Sequence, residues 1–297
     1  MYLRKTCSDG TVVGKKKDVV IENKKMQMFI LDKSKTRRGD WLKWSVLRSC
    51  VYNADGRLLS ISPPTSYPRG NRIPMLINGA ERFEEFVDGT MINLFWNEEW
   101  IIATKSCIGG ANFFNLTRSG ETMTFKEMFD DVLSDSSQAF YNELERIRNS
   151  NPDHSLCLSF VLQHPQNRII SPIMSKKLCL VGCYHIHSST STIHCMNAEA
   201  LSSIANSLPE CVTRPVIYSH EESAQMLCKM YKNHLSYEVK GLIKYLPGGF
   251  YREKAINPNY KAVERLKGNC SNVGVLKKNV EKKKRLSEFL SKFPELA

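Results

Sequence analysis

Phe83-Glu84-Glu85-Phe86-Val87-Asp88-Gly89-Thr90-Met91-Ile92-Asn93 is the stretch that decides how this chain folds. Beyond Gly89, residues Met91, Asn93 and Phe95 alternate with Ile92, Leu94 and Trp96, the period-two pattern of a strand with two unlike faces. Asp88-Gly89 is a bend signal, and Asn97-Glu98-Glu99 marks a turn before Trp100-Ile101-Ile102-Ala103-Thr104. Residues 82–104 therefore read as two antiparallel strands. Upstream, Leu47-Arg48-Ser49-Cys50-Val51-Tyr52 and Arg57-Leu58-Leu59-Ser60-Ile61 flank Asn53-Ala54-Asp55-Gly56, a hairpin cue ended by Pro63-Pro64. A further strand is expected over Met26-Gln27-Met28-Phe29-Ile30-Leu31, before a Thr36-Arg37-Arg38-Gly39 turn.

Downstream, strands are expected over residues 155–162, 178–184, 237–245 and 250–255. Residues 124–133 carry Phe125, Met128, Phe129 and Val132 on one helical stripe behind a Thr124 N-cap. Residues 137–149 and 197–208 are also helical, and Ser219 with Glu222 forms a capping box opening a helix to about His234. From about Tyr260 the chain is helical, ending in a basic amphipathic segment with Val275, Leu276, Val280, Leu286, Phe289 and Leu290 on its apolar side. Short strands with helices between them predict an α+β fold of antiparallel sheets with inserted helices.

At 297 residues the chain is long enough for one large or two small domains, and 42% apolar residues exclude a disordered chain. The +12 net charge favours a polyanion: nucleic acid, a nucleotide, or an acidic membrane or protein surface. The ten cysteines include no Cys-x-x-Cys pair and no Cys/His group at zinc spacing, so no metal site is expected and they read as reduced core residues. The N-terminal Met1-Tyr2-Leu3-Arg4-Lys5-Thr6 lacks a secretory apolar core, and no apolar run approaches the ~18 residues of a membrane span. His185, His187 and His194 flank Ser188-Ser189-Thr190-Ser191-Thr192. A His-x-His pair on a strand can bind metal and His-x-Ser is found in phosphodiesterases, but no second His-x-Ser/Thr matches it, so a polar loop is the default.

The ordered motifs resemble those of RNA ligases of the covalent nucleotidyltransferase superfamily, phage RNA ligase 1 type, and most of all the ligase-like proteins of large DNA viruses. Arg48-Ser49-Cys50-Val51-Tyr52 with Asp55-Gly56 resembles the leading hairpin, and Asp88-Gly89 the Lys-x-Asp-Gly motif. Thr104-Lys105-Ser106 resembles Thr-Arg-Gly. Residues 160–170, with Pro165, Asn167, Arg168 and Ile169, resemble Phe-Glu-x-x-x-Pro-x-Asn-Arg-Ile-Val. Lys240-Gly241-Leu242-Ile243 stands where Glu-Gly-x-Val is expected. Arg252-Glu253-Lys254, then Asn257-Pro258, Tyr260 and Leu266-Lys267-Gly268-Asn269, resemble the last Lys-x-Lys block and its tail. The resemblance implies a nucleotidyltransferase (ATP-grasp-like) ligase fold over residues 45–270, preceded by a basic N-terminal extension (1–44) and followed by a short basic amphipathic helical tail (271–297).

The catalytic motifs are degenerate. The lysine that attacks the α-phosphate is replaced by Phe86, which has no lone pair. The glutamate after Phe160 is Val161, and the glutamate before Gly241 is Lys240, a charge reversal where magnesium would be held. Catalytic residues are therefore expected to be absent, and Phe86 to occupy space that adenine or lysine would use. Glu238, two residues before Lys240 on the expected strand, is the carboxylate that a shifted pairing would supply. Lys105, Arg168, Arg252 and Lys254 remain as candidate phosphate or nucleotide ligands, with Arg252 and Lys254 on one strand face. For Arg168 the alternative is tying a loop to backbone carbonyls, and for Asp88 a purely structural bend.

Three functions stay open. The first is a pseudoenzyme kept as a viral structural or assembly component, such as a minor capsid protein, with protein partners, in the host cytoplasm or virion. The second is a non-catalytic RNA- or nucleotide-binding module. The third is an active RNA ligase with a relocated lysine, the one case that would need ATP and magnesium as cofactors.

Overall fold

In the computed structural model, the described residues are 13–35, 44–66, 82–113, 122–268, 273–282 and 284–296. Strands β1 (Gly14–Ile21) and β2 (Lys24–Leu31) form a hairpin that joins β3 (Ser49–Asn53) and β4 (Leu58–Ile61) in one antiparallel sheet, ordered β1-β2-β3-β4. The Asn53–Gly56 turn closes as expected, with the Gly56 N–H on the Asn53 carbonyl at 3.1 Å. Residues 14–31, expected within a basic extension, are thus paired directly to the leading hairpin. β1 escaped the sequence reading because Lys15-Lys16-Lys17-Asp18 puts charge on both faces of an edge strand.

Residues 82–104 form three strands, not two: β5 (Arg82–Glu85), β6 (Thr90–Trp96) and β7 (Trp100–Ala103). β5 leaves for another sheet, and the Asp88-Gly89 bend is where the chain crosses over. β6 lies within the largest sheet with β8 (His154–Gln163), β9 (Lys177–His187) and β10 (Ile193–Cys195), ordered β10-β9-β8-β6-β7. β11 (Val212–Thr213) adds to β9 in parallel, the exception to antiparallel pairing among the described strands. The third sheet runs β12 (Ile217–Tyr218), β5, β13 (Gly241–Tyr245), β14 (Arg252–Ile256).

The period-two alternation of β6 is realised in its burial. Ile92 and Leu94 meet the helical layer, where Phe125, Met128 and Phe129 of α1 (Phe125–Leu133) and Phe140 and Leu144 of α2 (Ser137–Asn149) pack with Phe160. Phe95 faces the opposite way, joining Met28, Phe29, Val51 and Ile61 in the core between the first sheet and the largest one. Thr124 caps α1 with a reciprocal Glu127 bond. α3 (Ala198–Ser207) completes the helical layer, and α4 (His220–Tyr231), opened by the Ser219/Glu222 box, covers the third sheet through Leu227 and Met230. α5 (Pro258–Lys267), α6 (Val273–Lys282) and α7 (Leu286–Lys292) enclose a separate core with Ile170, Tyr260, Leu276, Phe289 and Phe293. The eight described cysteines are free.

The strand expected over 237–245 begins only at Gly241. The Asn257 amide donates to the Ser236 and Val239 carbonyls at 2.7 and 2.8 Å, holding residues 236–239 in a turn. Glu238 is therefore exposed and off the strand, so it does not share a face with Lys240. The Thr36–Gly39 turn, Asn269 and the Val275 side chain lie outside the described residues.

Two glycines of the quoted motifs are required by the backbone. Gly89 has φ +147°, and a Cβ there would lie 2.5 Å from the Leu162 carbonyl oxygen; at Gly241 (φ +144°) it would lie 2.0 Å from that of Ala255. Gly89→Ala and Gly241→Ala should each cost about 2–4 kcal/mol in urea unfolding, whereas Gly56→Ala, with open space around it, should cost less than about 2 kcal/mol.

Candidate functional site

The carboxylate of Asp88 is buried, and every strong donor near it comes from a different part of the chain. Oδ2 accepts from the backbone N–H groups of Ile170 and Ser171, both at 3.0 Å. Oδ1 accepts from Lys240 Nζ at 3.0 Å and from the Tyr260 hydroxyl at 2.7 Å. The Asp88 carbonyl takes a bond from Gln163 Nε2 at 2.9 Å. Burial pushes the Asp88 carboxyl upward, but Lys240, the Tyr260 hydroxyl and the Ser171 N–H more than reverse this and hold it below the usual carboxylate range. Asp88 is thus a structural hub, and Tyr260 owes its place to Asn257-Pro258, the N-cap and first residue of α5.

Lys240 also borders a cavity of about 230 Å³ lined by residues of all three sheets. Its Nζ lies 4.4 Å from the centre of the Phe86 ring, and Lys254 Nζ lies 5.7 Å from the same ring. Phe86 forms part of the wall without closing the space. The apolar floor is Val87, Met91, Val161 and Val181, packed as one small cluster with Cys179. Lys105 and Lys254 are exposed at the rim, and Arg252 is buried, its Nε donating to the Pro64 carbonyl at 3.1 Å. Of the residues singled out from the sequence, Phe86, Val161, Lys240, Lys105, Arg252 and Lys254 meet at this one cavity.

Arg168 does not line it. Its guanidinium donates to the Ile170 and Lys292 carbonyls at 3.0 and 2.8 Å, pairs with Glu295 at 2.7 Å and covers the Phe293 ring. It ties residues 168–170 to the C-terminal segment, which is the loop-bracing alternative.

The sequence reading missed Arg48 as a cavity residue. It sits in the short 3₁₀ turn before β3 and lines the cavity opposite β14. Burial, and next the charge of Arg252, push its guanidinium down to about 10. Tyr184 opposes this, and among the described residues no carboxylate acts on Arg48. Nothing local in Arg48-Ser49-Cys50 signals a second guanidinium contributed from β14. Glu84 and Glu85 also line the cavity, but Glu84 is neutralised by Arg82 at 2.9 Å and Arg214 at 2.8 Å. Cations therefore dominate, and such a cavity suits an anion with several oxygens. Among the described residues no group of three or more His, Cys, Asp or Glu side chains is arranged to hold a metal ion.

No family model matches this chain, and no curated protein matches it either. Among solved structures it is similar to Naegleria gruberi RNA ligase with PPi: 11% identity, TM-score 0.41, covering 64% of this chain and 53% of that one. A lysine-to-alanine mutant of that ligase with ATP and Mn matches at 10% identity and TM-score 0.40 (63% and 52% covered), and a lysine-to-methionine mutant with AMP and Mn at 11% and 0.38 (62% and 52%). The chain spans about half the length of these structures.

The side chains of Lys240 and Asp88 are 17% and 2% exposed, so removing one partner strands a buried charge. Lys240→Met should destabilise by about 3–5 kcal/mol in urea unfolding, and adding Asp88→Asn should recover part of that loss as a coupling energy in a double-mutant cycle. Because the folded Asp88 carboxyl is held low, its contribution is present above the unfolded value of about 4 and is lost as pH falls below it. In urea midpoints measured across pH 3–6, Asp88→Asn should flatten the acid limb.

Proposed function

We propose that this chain is a catalytically inactive, ligase-like protein that holds a phosphate-bearing ligand, a nucleotide or an RNA end, without bonding to it. The observation that carries this reading is the placing of Arg48 and Arg252 on one cavity, where the buried carboxylate of Glu84 is already closed by Arg82 and Arg214. Such a pair is relieved by a ligand that brings negative charge to both forks at once. Lys105 and Lys254 at the rim extend the positive field outward along the path a polyanion would take.

Covalent chemistry is disfavoured by position and by protonation together. Phe86 offers no nucleophile. Lys240 supplies an amine close by, but its Nζ donates to Asp88, and an ammonium so engaged has no lone pair for phosphorus. The position after Phe160 is occupied by Val161, packed against Val87 and Val181, so the floor has no oxygen with which to hold a divalent ion. The small cavity, below the ~300–1,000 Å³ of usual small-molecule clefts, fits a phosphate group with part of its nucleoside better than a large buried ligand.

Two measurements test this. Incubation with α-labelled ATP or GTP and magnesium should leave no covalent label; a labelled band abolished by Lys240→Ala or Lys105→Ala would instead establish the active-ligase reading. Fluorescence anisotropy with a 5′-phosphorylated single-stranded RNA should give affinity falling with salt at a log–log slope of about −3, as for four or five phosphate contacts. Arg252→Ala with Lys254→Ala should weaken binding at least about tenfold. Absence of any RNA or nucleotide affinity, with the protein recovered stoichiometrically in a particle, would leave the assembly-component reading.

A further inference from the structure

Four histidines gather on one face of the largest sheet, far in sequence from the cavity residues. His154 of β8 stands opposite His187 of β9, and His185 of β9 stands opposite His194 of β10. The His154 ring is central: its centre lies 5.0 Å from that of His187, 5.8 Å from His194 and 5.9 Å from His185. His185 is 6% exposed and its Nε2 has no hydrogen-bond partner among the described residues. Burial, then the neighbouring His154 and His194, push its imidazole below the ordinary histidine value.

The elements packed on these strands bring Arg146 and Arg148 of α2 and Glu199 in the first turn of α3. The groups acting on His185 are His154 from β8 and His194 from β10, with no carboxylate among them. From α2, which packs on β8, the last-turn Arg146 and Arg148 are each closed on a glutamate of their own helix. Asp153 meets the hairpin loop through its main-chain carbonyl, which accepts from Ser188.

His187 adds a second contact to the hairpin. Its Nδ1 accepts the backbone N–H groups of Ser189 and Thr190 at 3.3 and 3.4 Å, shaping the β9–β10 loop. A protonated imidazole has no lone pair there and becomes a donor facing donors.

We propose that these histidines form a proton-operated latch: at neutral pH the uncharged rings pack the β10 hairpin against β9, and acidification releases it. β10 is three residues long and lies at the sheet edge, where Ile193 and Cys195 rest against the core. The His187 N–H to Thr192 carbonyl and Met196 N–H to Cys183 carbonyl bonds close its two ends. The sign follows from linkage. His185 is held low in the folded state, so the open state takes up more protons; closure is intact above about 6.5 and weakens as pH falls below it.

Hydrogen exchange of the full chain at pH 7.5 and 5.5, corrected for intrinsic rates, tests the latch. The His187 and Met196 amides should open more at pH 5.5, by up to about tenfold, the ceiling for one imidazole protonated only in the open state, while the β6–β8 ladder keeps its protection. His154→Gln and His194→Gln, the half-buried and exposed members, should shrink that ratio to below about threefold. Equal protection at both pH values, loss spread over the whole sheet, or an undiminished acid response in both variants would overturn the proposal. So would a stoichiometric zinc or nickel ion bound at pH 7.5 and shed on acidification, since metal loss would then account for the opening.

Discussion

One buried carboxylate organises this protein. Asp88 sits where the chain leaves the third sheet for the largest one, and its two oxygens draw in residues 170–171, the start of β13 and the first turn of α5. A carboxylate this deep is tolerated only when its lone pairs are filled and a cation stands beside it. That requirement explains Lys240, Tyr260 and the Asn257-Pro258 cap together, and the tight crossing of backbone at Gly89 and Gly241.

The cavity inherits its character from that arrangement. With Lys240 committed to Asp88 and leaning over Phe86, one wall presents a cation backed by an aromatic face. The Arg48 and Arg252 guanidiniums also line the cavity, and the nearby Glu84 is already taken by Arg82 and Arg214. Residues 86, 161 and 240 form one consistent arrangement: an aromatic ring, an apolar floor and a charge pair.

Behind the site, the C-terminal helices act as a brace. Arg168 and Lys267 direct their donors at the backbone of residues 168–170, the segment whose next amides serve Asp88. Burial pushes the Lys267 amine down to about 8. The apolar side expected of the basic tail is buried, with Leu276, Val280, Phe289 and Phe293 against Tyr260 and Ile170. In the described part of the chain no helix is long and apolar enough to cross a membrane.

Local rules determined much of this from the sequence alone. The hairpin around Asp55-Gly56, the alternation of β6 and the caps at Thr124 and Ser219 were legible because hydrogen-bond geometry and side-chain period act over a few residues. The convergence of Arg252 and Lys254 on one face also followed from strand period. Only the tertiary structure decided that β5 and β6 belong to different sheets, that Glu238 lies in a turn pinned by Asn257, and that Arg168 braces a loop outside the cavity. It also placed Arg48 beside Arg252 and His154 amid three histidines of other strands. Those outcomes depend on which distant groups share a buried space, and charge pairing and desolvation across such distances leave no period or spacing in the chain to read.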